Sequence, residues 1–211
     1  MLNQSQAEGS GGYDDGYANC PCFWGKEAGS LVRQFLANTP DVSKFHILDL
    51  GCGEGKNAAA FADRGASITA VDCSKRALAN GKSAFKHPKI EWIQSDAIEF
   101  LNDSGLFDVV IMYGLPHCME STSAIQKLIA LSQKRTKKGG KHILAAFNDG
   151  PHDLSAHPYF KPTLASHDFY LRCYSAYEIE SHTSSLLHET HPHNNIPHFH
   201  SVTRLIASKR L

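Results

Sequence analysis

Short apolar segments alternate with amphipathic segments along most of this chain. Apolar runs that are typical of buried β-strands occur at 45–50, 67–72, 89–94, 107–112 and 141–147. Segments whose spacing or composition favours helices lie around them, at 26–39, 54–65, 74–85, 97–102 and 121–136. Strands that alternate with helices in this way predict a parallel, doubly wound α/β sheet with helices on both faces.

The pattern changes after Phe147, where a stretch rich in proline and aromatic residues begins. We interpret residues 148–174 as a cap beside a ligand site, followed by a short helix near 175–182. Further on, Asn194 and Asn195 separate two β-like segments and predict a hairpin. The sheet should therefore be mostly parallel and seven-stranded, and it should end in an antiparallel hairpin.

The size and composition of the chain are those of one globular domain. It has 211 residues, of which 42% are hydrophobic and 20% are charged. The first residues carry almost nothing to bury, so we expect a disordered tail over 1–12 and a single domain over 13–211. The beginning of that domain, residues 13–40, contains aromatic side chains that could cover a ligand, and we name it the lid segment.

Charge and segment composition limit the partners and the location. The 21 basic and 21 acidic residues cancel, which disfavours nucleic acid and anionic membranes as partners. There is no apolar run of membrane-spanning length and no start typical of a signal peptide. We therefore expect a cytoplasmic protein, monomeric or homodimeric, whose six cysteines are thiols.

The sharpest motif is Asp49-Leu50-Gly51-Cys52-Gly53-Glu54-Gly55, between a predicted strand and a predicted helix. Its glycines would let the backbone turn tightly and approach a ligand beside the N–H groups of the helix start. Asp72 ends the next strand, 21 residues after Gly51, where a carboxylate can accept hydrogen bonds from both hydroxyls of a ribose. Lys56 stands where a dinucleotide fingerprint has its third glycine, which disfavours NAD.

This loop, together with Asp72, resembles class I S-adenosylmethionine-dependent methyltransferases, which implies their Rossmann-like fold and S-adenosylmethionine as the cofactor. The resemblance implies that Asp72 holds the ribose and that the methionine end is surrounded by Asp49, Gly51, Gly53 and Gly55. It also implies that Asp96 and Ala97 meet the adenine amino group and that Cys73 borders the adenine pocket. A plain helix N-cap is the alternative role for Asp96.

Within this class the chain is most similar to the tellurite-resistance methyltransferases and related small-molecule methyltransferases, from about Gly16 to Lys209. The likeness depends on the short core DLGCGEGKNAAAFADRGASITAVD, an aromatic entry segment, and an end of the form His-x-Thr, turn, TRLIASK. Three aromatic residues are predicted to contact ligands: Trp24 and Tyr113 the cofactor, and Tyr17 the substrate.

The acceptor should lie near the segment that follows the fourth strand, Tyr113-Gly114-Leu115-Pro116-His117-Cys118. Nucleic-acid amino-methylating enzymes of this class carry Asp/Asn/Ser-Pro-Pro-aromatic here, so its absence favours a small-molecule acceptor. His117 could take a proton from an acceptor hydroxyl or amine, or it could simply bond to backbone. In the predicted cap, Tyr170 and Arg172 are expected to bind the substrate.

The predicted hairpin is rich in histidine. With a two-residue turn, Glu189 would face His200 and His191 would face His198, whereas His188 would point to the other side. The side chains predicted to share one face are those of Glu189, His191, His193, His198 and His200. They could be metal ligands, acceptor-binding or proton-accepting groups, or a solvated ribbon. No spacing signature supports a metal, so none is assigned. The candidate catalytic residues are His117, His198 and His200, together with His188, which the resemblance implies because it matches a histidine near the substrate in relatives of the tellurite group.

These features together predict an enzyme that transfers a methyl group from S-adenosylmethionine to a small molecule by in-line displacement. Two alternatives remain open at this point. One is an NAD-dependent oxidoreductase, and the other is a non-catalytic protein that binds S-adenosylmethionine.

Overall fold

The computed structural model describes residues 13–156, 160–190 and 195–211. The predicted tail at 1–12 lies outside these residues, as do His191 and His193 of the predicted hairpin face. The described chain contains a seven-stranded sheet, whose strands are β1 (His46–Leu50), β2 (Ser67–Asp72), β3 (Ile90–Gln94), β4 (Phe107–Tyr113), β5 (Thr136–His152), β6 (Tyr177–Glu189) and β7 (His198–Lys209).

The strand order is β3-β2-β1-β4-β5-β7-β6. The strands β1 to β5 pair in parallel, whereas β7 is antiparallel to both of its neighbours, β5 and β6. This confirms the predicted α/β fold with a mostly parallel sheet that ends in an antiparallel hairpin.

Seven α-helices are described, namely α1 (Asp14–Asn19), α2 (Ser30–Asn38), α3 (Lys56–Ala62), α4 (Lys75–Ala84), α5 (Ala97–Asp103), α6 (Thr122–Lys134) and α7 (His167–Cys173). Several begin at a residue whose side chain caps the helix: Ser74 Oγ accepts from Ala77 N at 3.0 Å, and Ser121 Oγ accepts from Ala124 N at 3.1 Å. The longest of the described helices has 13 residues, too few to cross a membrane.

Apolar residues cover both faces of the central strands, as a parallel sheet requires. In β1, Ile47 packs on one face in a cluster with Phe35 and Phe61, whereas Leu48 packs on the other face in a cluster with Ile125. Side chains alternate along a strand, so neighbouring residues enter the two layers in turn. The sheet is therefore held rigidly between its helices, and its carboxyl edge can position side chains accurately.

Two elements differ from the sequence prediction. The segment predicted as a helix near 175–182 is mostly strand β6, and the helix α7 lies earlier, inside the predicted cap. β6 is an edge strand with many exposed polar residues, and it lacks the apolar alternation by which the other strands were predicted. The fifth strand also extends to His152, beyond the predicted end at 147, because its last part pairs with β7.

The predicted register of the hairpin is wrong by two residues. Glu189 pairs with His198, and His200 pairs with Leu187 rather than with Glu189. The strands end at Glu189 and His198, so the connection is longer than a two-residue turn. Pro192 and Pro197 in this connection lack the N–H that a continued ladder would need. A shift of two residues keeps the same face, so Glu189, His198 and His200 still lie on one side of the hairpin.

Candidate active site

A cavity of about 520 Å³ lies at the carboxyl ends of the parallel strands. One end is formed by the glycine loop, Asp72 and Asp96, and the other by residues of the last strands, namely Phe147, Leu187, Glu189, Val202 and Arg204. The cavity therefore joins the predicted cofactor region to the face of the β6–β7 hairpin that carries Glu189. Its volume is in the range of small-molecule sites, which is roughly 300–1,000 Å³.

The glycine loop has a backbone that only glycine adopts easily. The φ angles of Gly51, Gly53 and Gly55 are 64°, 54° and 80°. A Cβ atom at Gly53 would lie 2.9 Å from Tyr17 Oη, in the space where the loop borders the cavity. The three glycines thus produce the turn and keep the loop clear of side chains beside the cavity.

Asp72 is positioned by two backbone N–H groups. Its Oδ2 accepts from Gly53 N at 2.7 Å, and its Oδ1 accepts from Ser74 N at 2.8 Å. Burial raises the pKa of this carboxyl group, although the two hydrogen bonds act in the opposite direction. The carboxylate lines the cavity in a fixed orientation, and it is an acceptor suited to a pair of neighbouring hydroxyls.

The other two predicted acidic residues occupy different positions. Asp49 is fully buried beneath the loop and does not line the cavity; its Oδ2 accepts from Ala58 N at 3.1 Å. Burial raises the pKa of Asp49 to about 7. Asp96 does line the cavity, and its Oδ1 also caps α5 by accepting from Ile98 N at 2.8 Å. The two roles weighed for Asp96 are therefore compatible.

The aromatic residues of the lid segment form one wall of the cavity. Trp24 Nε1 donates to Tyr17 Oη at 3.2 Å, and the rings of Tyr13 and Trp24 meet edge to face with centroids 5.1 Å apart. The predicted cofactor residues that line the cavity are Trp24, Gly51, Gly53, Gly55, Asp72, Cys73, Asp96, Ala97 and Tyr113. Of the predicted substrate residues, Tyr17 is also in this wall.

His117 is buried in the cavity wall. Its Nδ1 accepts from Phe147 N at 3.0 Å, and its ring stacks on that of Phe147 with centroids 4.0 Å apart. Burial lowers the pKa of His117 to about 3, so the ring is neutral and its proton lies on Nε2. The structure therefore presents His117 as a hydrogen-bond donor, because the nitrogen that a base would use is occupied by the backbone.

The hairpin brings one carboxylate and two imidazoles together. Glu189 Oε1 lies 3.8 Å from His198 Nε2 and 3.7 Å from His200 Nε2. Both histidine side chains are buried, whereas Glu189 also lines the cavity. The ring of His200 stacks on the far side of Phe147, at a centroid distance of 4.2 Å.

Six predicted site residues do not line the cavity: Asp49, His198 and His200, which are described above, and three others. His188 is exposed on the opposite face of β6 from Glu189. Tyr170 is fully buried in the apolar core below α7, and Arg172 is exposed on the same helix. The reason is the position of α7, which packs against the sheet and α6 and thus directs its side chains to the core or to solvent.

The sequence prediction did not identify several residues of the cavity wall, among them Glu54, Lys56, Phe147 and Arg204. Glu54 and Lys56 are part of the glycine loop and the helix after it, so their position in the motif was the available signal. The other two come from segments that are distant in sequence, and only the folded sheet edge brings them together.

Comparison with known proteins agrees with this arrangement. Residues 47–140 match the family described as a methyltransferase domain. The ubiquinone biosynthesis O-methyltransferase of Rickettsia conorii is 32% identical over 120 residues, which cover 56% of this chain and 40% of that protein. The chain spans less than half of the length of the curated relatives it matches.

Solved structures show the same fold. TehB from Haemophilus influenzae superposes with a TM-score of 0.70 at 19% identity, over 87% of this chain and 63% of TehB. A structure solved for the conversion of a disulfide bond into a thioacetal group during echinomycin biosynthesis has a TM-score of 0.73 at 18% identity, over 100% of this chain and 93% of that one. The part of the chain that contains the glycine loop is therefore similar to a methyltransferase domain, and the solved structures share its fold. The finer resemblance to tellurite-resistance enzymes stays a prediction, because similarity at this identity shows the fold alone.

Proposed function

We propose that the protein transfers a methyl group from S-adenosylmethionine to a small-molecule acceptor. The observation that carries this proposal is the continuous cavity that runs from the glycine loop and Asp72 to Phe147 and Glu189. Such a cavity can hold a donor and an acceptor side by side. The name of the Rickettsia conorii relative, which describes O-methylation in ubiquinone biosynthesis, supports a small-molecule acceptor.

The residues at one end fit this cofactor. Asp72 is held by Gly53 N and Ser74 N in an orientation that can accept from both ribose hydroxyls. The loop at Gly53 leaves a space that a Cβ would enter, which permits close approach of the backbone. Asp96 and Ala97 border the same end, in position for the adenine group.

When bound, S-adenosylmethionine supplies an electrophilic methyl group on its sulfonium. The protein's own contribution is to bind, orient and shield. Tyr13, Tyr17 and Trp24 form an aromatic wall that excludes water and offers ring faces to a positive charge. Phe147 and Leu187 offer apolar surface to the acceptor, and this positioning supplies much of the catalysis in an in-line displacement.

The two candidate proton-handling groups have different roles in this proposal. His117 donates a hydrogen bond from Nε2 to the acceptor and does not act as the base, because Phe147 N occupies its Nδ1. Glu189 lines the acceptor end of the cavity, and together with the buried His198 and His200 beside it this residue controls the ionisation of an acceptor hydroxyl or amine. An acceptor that is already an anion would not need this group.

The first test uses ligand binding to separate a protein that binds S-adenosylmethionine from an NAD-dependent oxidoreductase. Calorimetric titration should show S-adenosylhomocysteine binding and no comparable binding of NAD. Tight NAD binding would contradict the proposal and favour an oxidoreductase.

The second test separates an enzyme from a non-catalytic binding protein. Transfer of a tritiated methyl group should be measured with a panel of hydroxyl, amine and thiol acceptors. With an accepted substrate, His198→Ala or His200→Ala should lower turnover by about 100- to 10,000-fold and leave cofactor affinity nearly unchanged. Binding of the cofactor without transfer to any acceptor class would leave only the binding protein.

A further inference from the structure

We propose that Glu189, His198 and His200 form a binding site for a divalent transition-metal ion of the zinc type. One nitrogen from each imidazole and one carboxylate oxygen all lie within 4.8 Å of one another. Two histidines and one carboxylate are a common ligand set for zinc and for non-haem iron. The proposal concerns the same three residues that act on the acceptor in the proposed function, but it is tested by metal binding and not by methyl transfer.

The two distances to the carboxylate are close to those of a metal site. Glu189 Oε1 is 3.8 Å and 3.7 Å from the Nε2 atoms of His198 and His200. Ligand atoms about 2.0–2.2 Å from a tetrahedral ion lie about 3.4 Å from one another. The two carboxylate–imidazole distances would therefore shorten by a few tenths of an ångström, and the distance between the two imidazole nitrogens, which is within 4.8 Å, by at most about 1.4 Å.

The outer hydrogen bonds select the tautomer that a metal ligand needs. His198 Nδ1 lies 2.8 Å from the carbonyl oxygen of Ile196, which can only accept, so Nδ1 carries the proton. In its neutral form, the ring of His198 therefore presents a lone pair on Nε2, the atom that faces Glu189.

Two hydrogen bonds in series select the same tautomer for His200. His152 Nε2 lies 2.6 Å from the carbonyl oxygen of Asn148, so that nitrogen donates, and Nδ1 of His152 is then an acceptor. His200 Nδ1 lies 3.3 Å from His152 Nδ1 and donates a hydrogen bond to it, which leaves a lone pair on Nε2 of His200. Two backbone carbonyls thus orient two imidazole lone pairs toward the same carboxylate.

Two nearby cations do not occupy the centre of this group. Burial raises the pKa of the Glu189 carboxyl group, whereas His198, Lys56 and Arg204 act in the opposite direction. Lys56 Nζ donates to the carbonyl oxygen of Trp24 at 2.8 Å, and Arg204 Nη1 donates to Ser185 Oγ at 3.0 Å. Both charges are therefore directed elsewhere, and Glu189 connects the proposed ion to the acceptor end of the cavity.

Calorimetric titration of chelator-treated full-length protein with Zn²⁺ tests the proposal. We expect one equivalent to bind, and the affinity to fall by more than about 100-fold in Glu189→Gln, since loss of an outer-shell partner alone typically costs 10- to 100-fold. His152→Ala, which removes the outer partner of His200, should fall in that smaller range. His188→Ala is the matched control, because this exposed histidine on the same strand should not affect zinc affinity.

Cobalt substitution gives a second readout that does not depend on activity. Co²⁺ bound by two imidazoles and a carboxylate should give visible absorption bands of a low-coordinate site, which Glu189→Gln should abolish. Equal zinc affinity in wild type and Glu189→Gln, or no binding in either, would overturn the proposal. S-adenosylhomocysteine binding measured on the same samples shows that each variant is folded and reports separately on the proposed function.

Discussion

Replacing Glu54 with alanine should detach the lid segment from the glycine loop. The side chain of Glu54 is almost fully buried between these two parts of the chain. Its Oε2 accepts from Phe23 N at 2.6 Å, and its Oε1 accepts from Cys22 N at 2.8 Å and from Asn80 Nδ2 at 2.9 Å. One carboxylate therefore joins the lid segment, the loop and α4.

The size of the effect follows from these three donors. A donor that loses its partner in a buried position costs about 1–3 kcal/mol. Cys22 N and Asn80 Nδ2 are only partly buried, so water can replace part of what they lose, and the low end of that range applies. We therefore expect Glu54→Ala to lower the free energy of unfolding by about 3 kcal/mol. Cofactor affinity should also fall, because Tyr17 and Trp24 depend on the same attachment.

Urea unfolding followed by circular dichroism measures this loss. Glu27→Ala is the matched control, since Glu27 is exposed and pairs with Arg33 at 3.5 Å; it should change stability by less than about 0.5 kcal/mol. The reasoning is refuted if Glu54→Ala is as stable as Glu27→Ala and binds S-adenosylhomocysteine as tightly as wild type.

Three other predictions concern the cofactor end and the core. Asp72→Ala should weaken S-adenosylmethionine binding by about 1–3 kcal/mol in calorimetry, because the ribose hydroxyls lose a charged acceptor; unchanged affinity would contradict the ribose role. Gly53→Ala should lose about 1–2 kcal/mol of stability from its positive φ, and should also weaken cofactor binding through the contact with Tyr17 Oη. Gly25→Ala is the control for Gly53→Ala, because Gly25 also has a positive φ, of 75°, but has open space where a Cβ would lie. Its loss of stability in the same unfolding assay therefore measures the backbone strain alone. Burial lowers the pKa of His142 from 6.5 to about 3. Between these pH values the unfolded chain binds one proton more than the folded chain, so the free energy of unfolding falls as the pH falls. His142→Gln should reduce this pH dependence in unfolding experiments, and an unchanged pH dependence would count against this burial effect.

The sheet and the glycine loop were predictable because their signals are local. The run at 67–72 is bounded by polar residues and corresponds to strand β2, and the loop from Gly51 to Gly55 needs φ angles that its own glycines reveal. The position of Asp72 beside that loop could be predicted from the number of residues between them. In each case the physical cause lies within a few residues of the feature.

The acceptor end was less predictable because it depends on distant pairing. The register of Glu189 and His198 is determined by a connection whose length a pair of asparagines did not reveal. Tyr170 was predicted to line the pocket, but the packing of α7 buries its ring in the core. The backbone bond to His117 Nδ1 comes from Phe147, thirty residues away, and only the folded structure shows it. The cytoplasmic location and the monomeric or homodimeric state stay predictions.

A crystal structure of the protein with S-adenosylhomocysteine would show whether the cavity holds the cofactor as proposed. Both ribose hydroxyls should lie within hydrogen-bond distance of the Asp72 carboxylate, the adenine should lie beside Asp96 and Ala97, and the sulfur should face the end of the cavity formed by Phe147 and Glu189. Binding of S-adenosylhomocysteine at saturating concentration outside this cavity, or inside it with the ribose away from Asp72, would contradict the proposed function.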